Sequence, residues 1–326
     1  MGTFCKDIGK KFSKMKVVSY LKGIPAKNKN LEKPKILQNF IKGVNAIGDQ
    51  GILHDGFYIP SDVAVVQGYV HKDSPASPHL QLRKTVIDQQ KKNNKHTVLV
   101  DSNLFLYIDK TNPGHYLRYS LNGVFPSTGN YFLDTVDPRR WEKISNDLNL
   151  KIKPWKQTGN YILICMQRNG GWSMKGYDNQ EWVLNMIYRI REYSDRPIVL
   201  RGHPGDKNAN IYLNPAHKSY KFKKCKNVTV SDFRNRTLTQ DLENAFCTVV
   251  YNSSPAVASA IEGVPVYADD PSDCQAAEVA NVDISKIESL DTYDRLPWLR
   301  KLAMSHWNFD ELINGDAWQH MRQFCK

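Results

Sequence analysis

A chain of 326 residues is longer than one ordinary hydrophobic core serves and suits two domains of about 150 residues each. With 41% hydrophobic and 24% charged residues it has the makeup of a globular protein, which excludes disorder of the whole chain. Its formal charge of +12, with basic clusters at residues 6–16, 22–35, 91–95 and 218–226, points to polyanionic partners: nucleic acid, an anionic membrane face or a phosphorylated ligand.

The basic N-terminal stretch runs into no apolar segment, so it does not read as a secretory signal, and no stretch reaches the roughly 18 apolar residues of a membrane span. Residues 35–41 (KILQNFI) and 62–69 (DVAVVQGY) read as strands, with a Gly-rich loop at 48–56 between them. Residues 78–94 read as a helix carrying Leu80, Leu82, Val86 and Ile87, and residues 97–100 as a strand ending on Asp101. This strand–helix–strand order predicts a βαβ unit and a parallel sheet. The stretch 103–140, rich in Tyr, Asn, Gly and Pro, has no clear periodicity and reads as an insertion.

The polar segment 146–159, with Pro154, is the expected linker, dividing an α/β domain at 1–150 from a second α/β domain at 151–326. In the second half, strands are expected at 161–166, 197–200, 228–230, 248–251 and 265–267. Helices are expected at 181–194, 239–245 and 255–262, and the chain ends in helices bearing Trp298, Trp307 and Trp318. Such alternation predicts a doubly wound sheet that binds its ligand at the carboxyl ends of the strands. The six cysteines form no CxxC pair; Cys165 and Cys247 sit in apolar runs, as reduced core thiols of a cytoplasmic protein do.

Three of those strand ends carry phosphate-binding chemistry. The first is followed by Gln167, Arg168, Asn169, Gly170 and Gly171: a fixed positive charge beside two glycines that let backbone N–H groups approach a ligand. The second is followed by Arg201, Gly202, His203 and Pro204. After the third, Ser253 and Ser254 precede Pro255 at a helix start, where free N–H groups and the helix dipole favour an anion. Taken singly these are a turn, a turn histidine and an N-cap; together in one domain they point to a phosphate site.

The stretches RGHP (201–204) and NSSPAVASAIEGVPVY (252–267) resemble the donor domain of GT-B-fold glycosyltransferases, in particular those with a His-Pro turn and a Ser-Ser turn, as in bacterial sialyl- and capsule-polymer transferases. The resemblance spans about residues 161–270, roughly a third of the chain. It implies two Rossmann-like doubly wound domains facing a cleft, a nucleotide-sugar donor (a UDP-sugar first), no required metal, and donor contacts from His203, Ser253 and Ser254. Where similar transferases often place a ribose-binding Glu, this chain has Ala258, with Ser259 beside it, so Ser259 is the candidate at that position. Terminal helices that cross back to the first domain also fit that fold.

Sugar transfer further needs stabilisation of the leaving diphosphate, which Arg168 and Arg201 can join in supplying, and a base for the acceptor hydroxyl. Asp101, at the carboxyl end of an apolar strand, is the candidate base, with His54-Asp55 and Asp49 as competitors; Asp55, Arg118 and Asn122 are candidate acceptor contacts. Fold, charge and layout resemble the phage glycosyltransferases that modify hydroxymethylated pyrimidines, which implies double-stranded DNA as the acceptor and a base flipped out of the duplex. A surface- or capsule-polysaccharide acceptor is the alternative, and a non-catalytic nucleotide-binding protein is a third. The chain is expected to act as a monomer.

Overall fold

A computed structural model describes residues 13–21, 32–70, 78–108, 112–132, 136–168 and 172–325. In chain order the regular elements begin with β1 (Lys16–Tyr20), α1 (Glu32–Ala46), β2 (Gln50–His54), β3 (Val63–Gln67), α2 (Pro78–Lys92) and β4 (His96–Asp101). Next come β5 (Leu117–Leu121), α3 (Pro138–Asp147), β6 (Tyr161–Cys165), α4 (Asn179–Arg191), β7 (Ile198–Arg201), α5 (Ala209–Tyr212) and β8 (Val228–Val230). The chain closes with α6 (Leu238–Leu242), β9 (Ala245–Val250), α7 (Pro255–Ile261), β10 (Val266–Ala268), α8 (Leu296–Ala303), β11 (His306–Trp307), α9 (Phe309–Ile313) and α10 (Asp316–Arg322). No helix among the described residues is long and apolar enough to cross a membrane.

The chain forms two compact units, one from Met1–Gln67, Ser77–Val98 and Phe309–Lys326, the other from Gly68–Ala76 and Leu99–Asn308. In the first unit β1 lies between β2 and β3, parallel to both, with Val18 opposite Ile52 on one side and Ala64 on the other. Parallel neighbours require a crossover, and α1 supplies the one between β1 and β2.

Residues 35–41, expected as a strand, belong to α1. Their apolar positions, Ile36, Leu37, Phe40, Ile41 and Val44, are all buried and follow helical spacing. The helix packs against α9 so closely that a Cβ on Gly43 would stand 1.9 Å from the Leu312 carbonyl oxygen. Part of the expected Gly-rich loop is strand β2. Asp49, just before it, is 6% exposed and receives Met15 N–H at 2.9 Å, Trp318 Nε1–H at 2.8 Å and Arg322 Nε–H at 2.6 Å. Its carboxylate therefore joins the C-terminal helix to the start of β1 and has no free face for proton abstraction.

The second unit contains a five-stranded parallel sheet ordered β10-β9-β6-β7-β8. Numbered within the unit, the order is 5-4-1-2-3, the doubly wound order whose switch point falls between its first and fourth strands, here β6 and β9. β6 is central, and its YILIC run is apolar because both faces are covered: Leu163 and Cys165 face a core with α7 and α8, Ile162 and Ile164 one with α4. A turn with Gly263 at φ +77° ends α7; a Cβ there would meet the Pro154 carbonyl oxygen at 2.1 Å, so the 153–156 segment lies directly on this turn. The unit also holds the antiparallel pair β5 and β11, with Arg118 opposite His306.

Candidate functional site

Strands β7, β6 and β9 are neighbours and parallel, so their carboxyl ends share one edge of the sheet. A cavity of about 360 Å³ opens there, lined by Gln167 and Arg168 after β6, Arg201, His203 and Pro204 after β7, and Asn252, Ser253 and Ser254 after β9. Asp101, Ser102 and Arg118 form another part of its wall. The structure thus gathers Asp101, Arg118, Arg168, Arg201, His203, Ser253 and Ser254 around a single space. Gly170 and Gly171 lie outside the described residues.

Arg168 is exposed and has no ion-pair partner among the described residues. His203 accepts the Gly205 N–H at Nδ1, 2.9 Å, which leaves the proton of its neutral ring on Nε2, the tautomer that donates to a phosphate oxygen. The ring reaches solvent, yet its pKa lies below the ordinary histidine value: protein packed around the turn disfavours the charged form, Asp206 opposes this, and Arg168 and Arg234 add to it. The Ser253 hydroxyl oxygen is buried and has no hydrogen-bond partner among the described residues. A buried hydroxyl donor beside an unpaired arginine suits the binding of an anion.

Two residues differ from their expected roles. Arg201 lines the cavity, but its guanidinium donates to Asp241, whose other partners are Ser231 Oγ at 2.6 Å and Arg236 Nε at 2.8 Å. Arg201 and Asp241 are 7% and 2% exposed, so the pair is internal and the arginine's charge is neutralised at its source. Ser259 is fully buried; its hydroxyl donates to the Pro255 carbonyl at 2.8 Å and lies 2.9 Å from the Thr248 hydroxyl, which can donate to it. It fastens α7 to β9 and lies away from the cavity. Glu262, at the end of the same helix, accepts from Tyr107 Oη at 3.1 Å and from Lys153 Nζ.

Asp101 Oδ2 receives Arg118 Nη2 at 2.6 Å and Oδ1 receives the Ser102 N–H at 2.7 Å. A carboxylate has about four acceptor positions, so roughly two remain for a substrate hydroxyl. Arg118 is 4% exposed, and its Nε and Nη1 have no hydrogen-bond partner among the described residues. Asn122 sits at φ +64° in the exposed turn after β5 and does not line the cavity. Asp55 belongs to the first unit, in the exposed turn after β2 where His54 Nε2 accepts the Phe57 N–H at 3.1 Å. Asp269 and Asp270, the acidic pair after β10, are engaged by cations: Arg189 holds the first at 2.7 Å and Lys175 the second at 2.7 Å.

Sequence reading missed the second half of the site. A cavity of about 540 Å³ shares Leu104, Arg201, Pro204, Leu238, Ser254 and Pro255 with the first. Its own wall includes Asn103, Tyr107, Phe233, Asn235, Thr237 and Ala258. Arg234 shapes it: Nε donates to Asn210 Oδ1 at 3.0 Å, Nη2 to the Asp206 carbonyl at 2.7 Å and Nη1 to the Pro204 carbonyl. The available signal was an aromatic and two arginines, Phe233, Arg234 and Arg236, in the loop after a short strand.

Two solved structures from Thermosulfurimonas dismutans are similar in fold. The KpsC beta Kdo 2,7 transferase matches with a TM-score of 0.50 at 13% identity, covering 95% of this chain and 100% of that one. The KpsC beta Kdo 2,4 transferase matches with a TM-score of 0.50 at 12% identity, covering 92% and 98%. No family model and no curated protein matches the sequence. The parallel strand sets of the two units together with this likeness give the chain the two-domain α/β fold of the GT-B class.

Proposed function

We propose that the protein is a glycosyltransferase that takes its sugar from a nucleotide-activated donor. The observation that carries this is the convergence of Arg168, His203 and the unpartnered Ser253 hydroxyl on one cavity at the switch point of a doubly wound sheet. In this reading the donor phosphates occupy that cavity. The nucleoside extends into the adjoining one, beside Phe233 and Ala258. A UDP-sugar is the first candidate, and no metal is assigned a role.

The transfer breaks the bond between the anomeric carbon and the phosphate oxygen as the acceptor hydroxyl oxygen bonds to that carbon. His203 Nε2–H, Arg168 and Ser253 stabilise charge on the leaving phosphate. Asp101 accepts the hydroxyl proton, and Arg118 holds its carboxylate in place.

The acceptor we favour is a glycan of the surface- or capsule-polysaccharide type, in keeping with the transferases named for the two similar structures. Double-stranded DNA bearing a hydroxymethylated pyrimidine is the second reading. It is motivated by the +12 charge and by the exposed lysines 218, 223, 224 and 226. A monomer working in the cytoplasm suits either acceptor.

Titration with a panel of nucleotide sugars, followed by melting temperature, tests the donor reading. One ligand at 100 times its dissociation constant should stabilise the protein by about 2.7 kcal/mol, and His203→Ala should weaken that response. If no nucleotide sugar shifts the melting temperature, the proposal fails. Duplex binding whose log affinity falls with log salt at a slope near −4 or −5 would select DNA; the absence of such binding selects the glycan.

A further inference from the structure

Behind the phosphate turns lies a chain of hydrogen-bonded polar side chains. Gln167 and Asn252, 4% and 2% exposed, form part of the cavity wall and are joined by a hydrogen bond from Gln167 Nε2 to Asn252 Oδ1. Ser173 Oγ donates to Gln167 Oε1 at 2.5 Å. Asn252 Nδ2 donates to Asp270 Oδ2 at 2.9 Å, which joins the turn after β9 to the one after β10. Asp270 and its neighbour Asp273 have side chains only 12% and 4% exposed. Two carboxylates at that depth, one bonded directly to a wall residue, would oppose an anion in the cavity unless neutralised.

One side chain pairs with both and offsets one of the two negative charges. Lys175, in the turn after residues 172–174, places Nζ 2.7 Å from Asp270 Oδ2 and 2.9 Å from Asp273 Oδ2. Asp273 also receives the Ser127 hydroxyl, and Asp270 Oδ1 the Ser272 hydroxyl at 2.7 Å, so both carboxylates are held in place. No other cation pairs with either carboxylate among the described residues.

We propose that Lys175 is a positioning residue of the donor-phosphate site: it bridges Asp270 and Asp273, offsets one of their two charges, and thereby holds the Asn252–Gln167 wall in a form that accepts an anion. It touches neither donor nor acceptor and acts through Asp270 and Asn252. The proposal rests on the donor reading above and adds a residue that neither the His-Pro turn nor the Ser-Ser turn reveals.

The test compares a charged and an uncharged probe, inorganic pyrophosphate and uridine, by calorimetric titration of the full chain. Lys175→Met should weaken pyrophosphate about tenfold or more, the effect of one uncompensated charge near 10 Å at an effective dielectric constant of about 20, and leave uridine unchanged. Lys175→Arg should bind pyrophosphate like the wild type. Lys175→Met/Asp270→Asn, which removes a carboxylate together with its cation, should recover most of the loss. Wild-type pyrophosphate affinity in Lys175→Met overturns the inference, as does an equal loss of both probes or a double variant no better than the single one. If the wild type binds pyrophosphate but neither uridine nor any nucleotide sugar, the donor reading fails while the pyrophosphate series still decides the role of Lys175. A wild type that binds no probe overturns both.

Discussion

Replacing Asp241 with Asn should destabilise the second unit and, at the same time, strengthen anion binding. Asp241 has a side chain 3% exposed and is paired with an Arg201 side chain 8% exposed. The amide keeps the shape but turns N–H groups toward donors on Arg201, Ser231 and Arg236, and leaves a buried guanidinium without its counter-charge. Breaking a buried pair in this way costs about 3–5 kcal/mol. In a unit of this size that lowers the melting temperature by about 10 °C or more. Urea denaturation should show the midpoint falling with little change in slope. Arg201 lines both cavities, so its released charge should also tighten pyrophosphate binding, a sign opposite to that of the stability change. A loss below about 1 kcal/mol together with unchanged pyrophosphate affinity would refute the view that Asp241 neutralises Arg201.

Asp101→Asn should lower kcat by about 10²–10⁴-fold and leave donor affinity nearly constant, measured by initial rates and titration; near-normal turnover removes Asp101 as the base. Gly43→Ala should destabilise the first unit by well over 1 kcal/mol, read by thermal melting, because its Cβ has only 1.9 Å to the Leu312 carbonyl oxygen. Trp318→Phe should cost about 1.5–3 kcal/mol by urea denaturation, since it removes the 2.8 Å donor to the buried Asp49 carboxylate, and should leave nucleotide affinity untouched.

Strands β6, β7, β9 and β10 of the second unit were legible because they are covered on both faces, which makes them continuous apolar runs, whereas β5 went unread and Trp307, expected in a helix, lies in strand β11. β6 and β9 carry YILIC and AFCTVV within a residue or three of their expected bounds. Turn chemistry was legible for a related reason: Gly, His-Pro and Ser-Ser-Pro mark strand ends wherever they fall, and the sheet order then made three of those ends adjacent. In the first unit, β1 (KVVSY) and the edge strand β2 (QGILH) are short and mixed, and α1 presents an apolar run that a period-two and a period-3.6 reading both accommodate. Charge partners were the least legible. Nothing local in Arg201 announces Asp241, 40 positions away, and nothing in Asp49 announces Trp318 and Arg322, 269 and 273 positions away. A charged residue at a strand end reads as a ligand contact until the fold shows its charge already spent.

His306 gives the sharpest dependence on pH. The side chain is fully buried, stacked on Phe105 with ring centroids 4.5 Å apart. Its Nε2 accepts the Leu104 N–H at 3.2 Å, and Nδ1, 3.0 Å from the Leu302 carbonyl, must then carry the proton. Burial pushes its pKa down to about 3, with the Leu302 carbonyl opposing and Arg118 and Arg140 assisting. In the unfolded chain the group returns to about 6.5. The folded pKa is the depressed one, so the contribution to stability is complete above pH 6.5 and is lost as pH falls from 6.5 toward 3. At pH 5 the unfolded state gains about 2 kcal/mol from this proton alone relative to pH 8. His306→Gln keeps one acceptor and one donor but does not titrate. It should lower stability at pH 8 through lost stacking and flatten the decline between pH 6.5 and 5. Because Leu104 lines both cavities, protonation of His306 as pH approaches 3 should also loosen the segment that follows Asp101, and the protection of the Leu104 amide against hydrogen exchange, relative to its intrinsic rate, should fall there in the wild type. An unchanged decline in His306→Gln would show that other groups govern the acid sensitivity and that His306 is charged, or absent from the core, before the fold gives way.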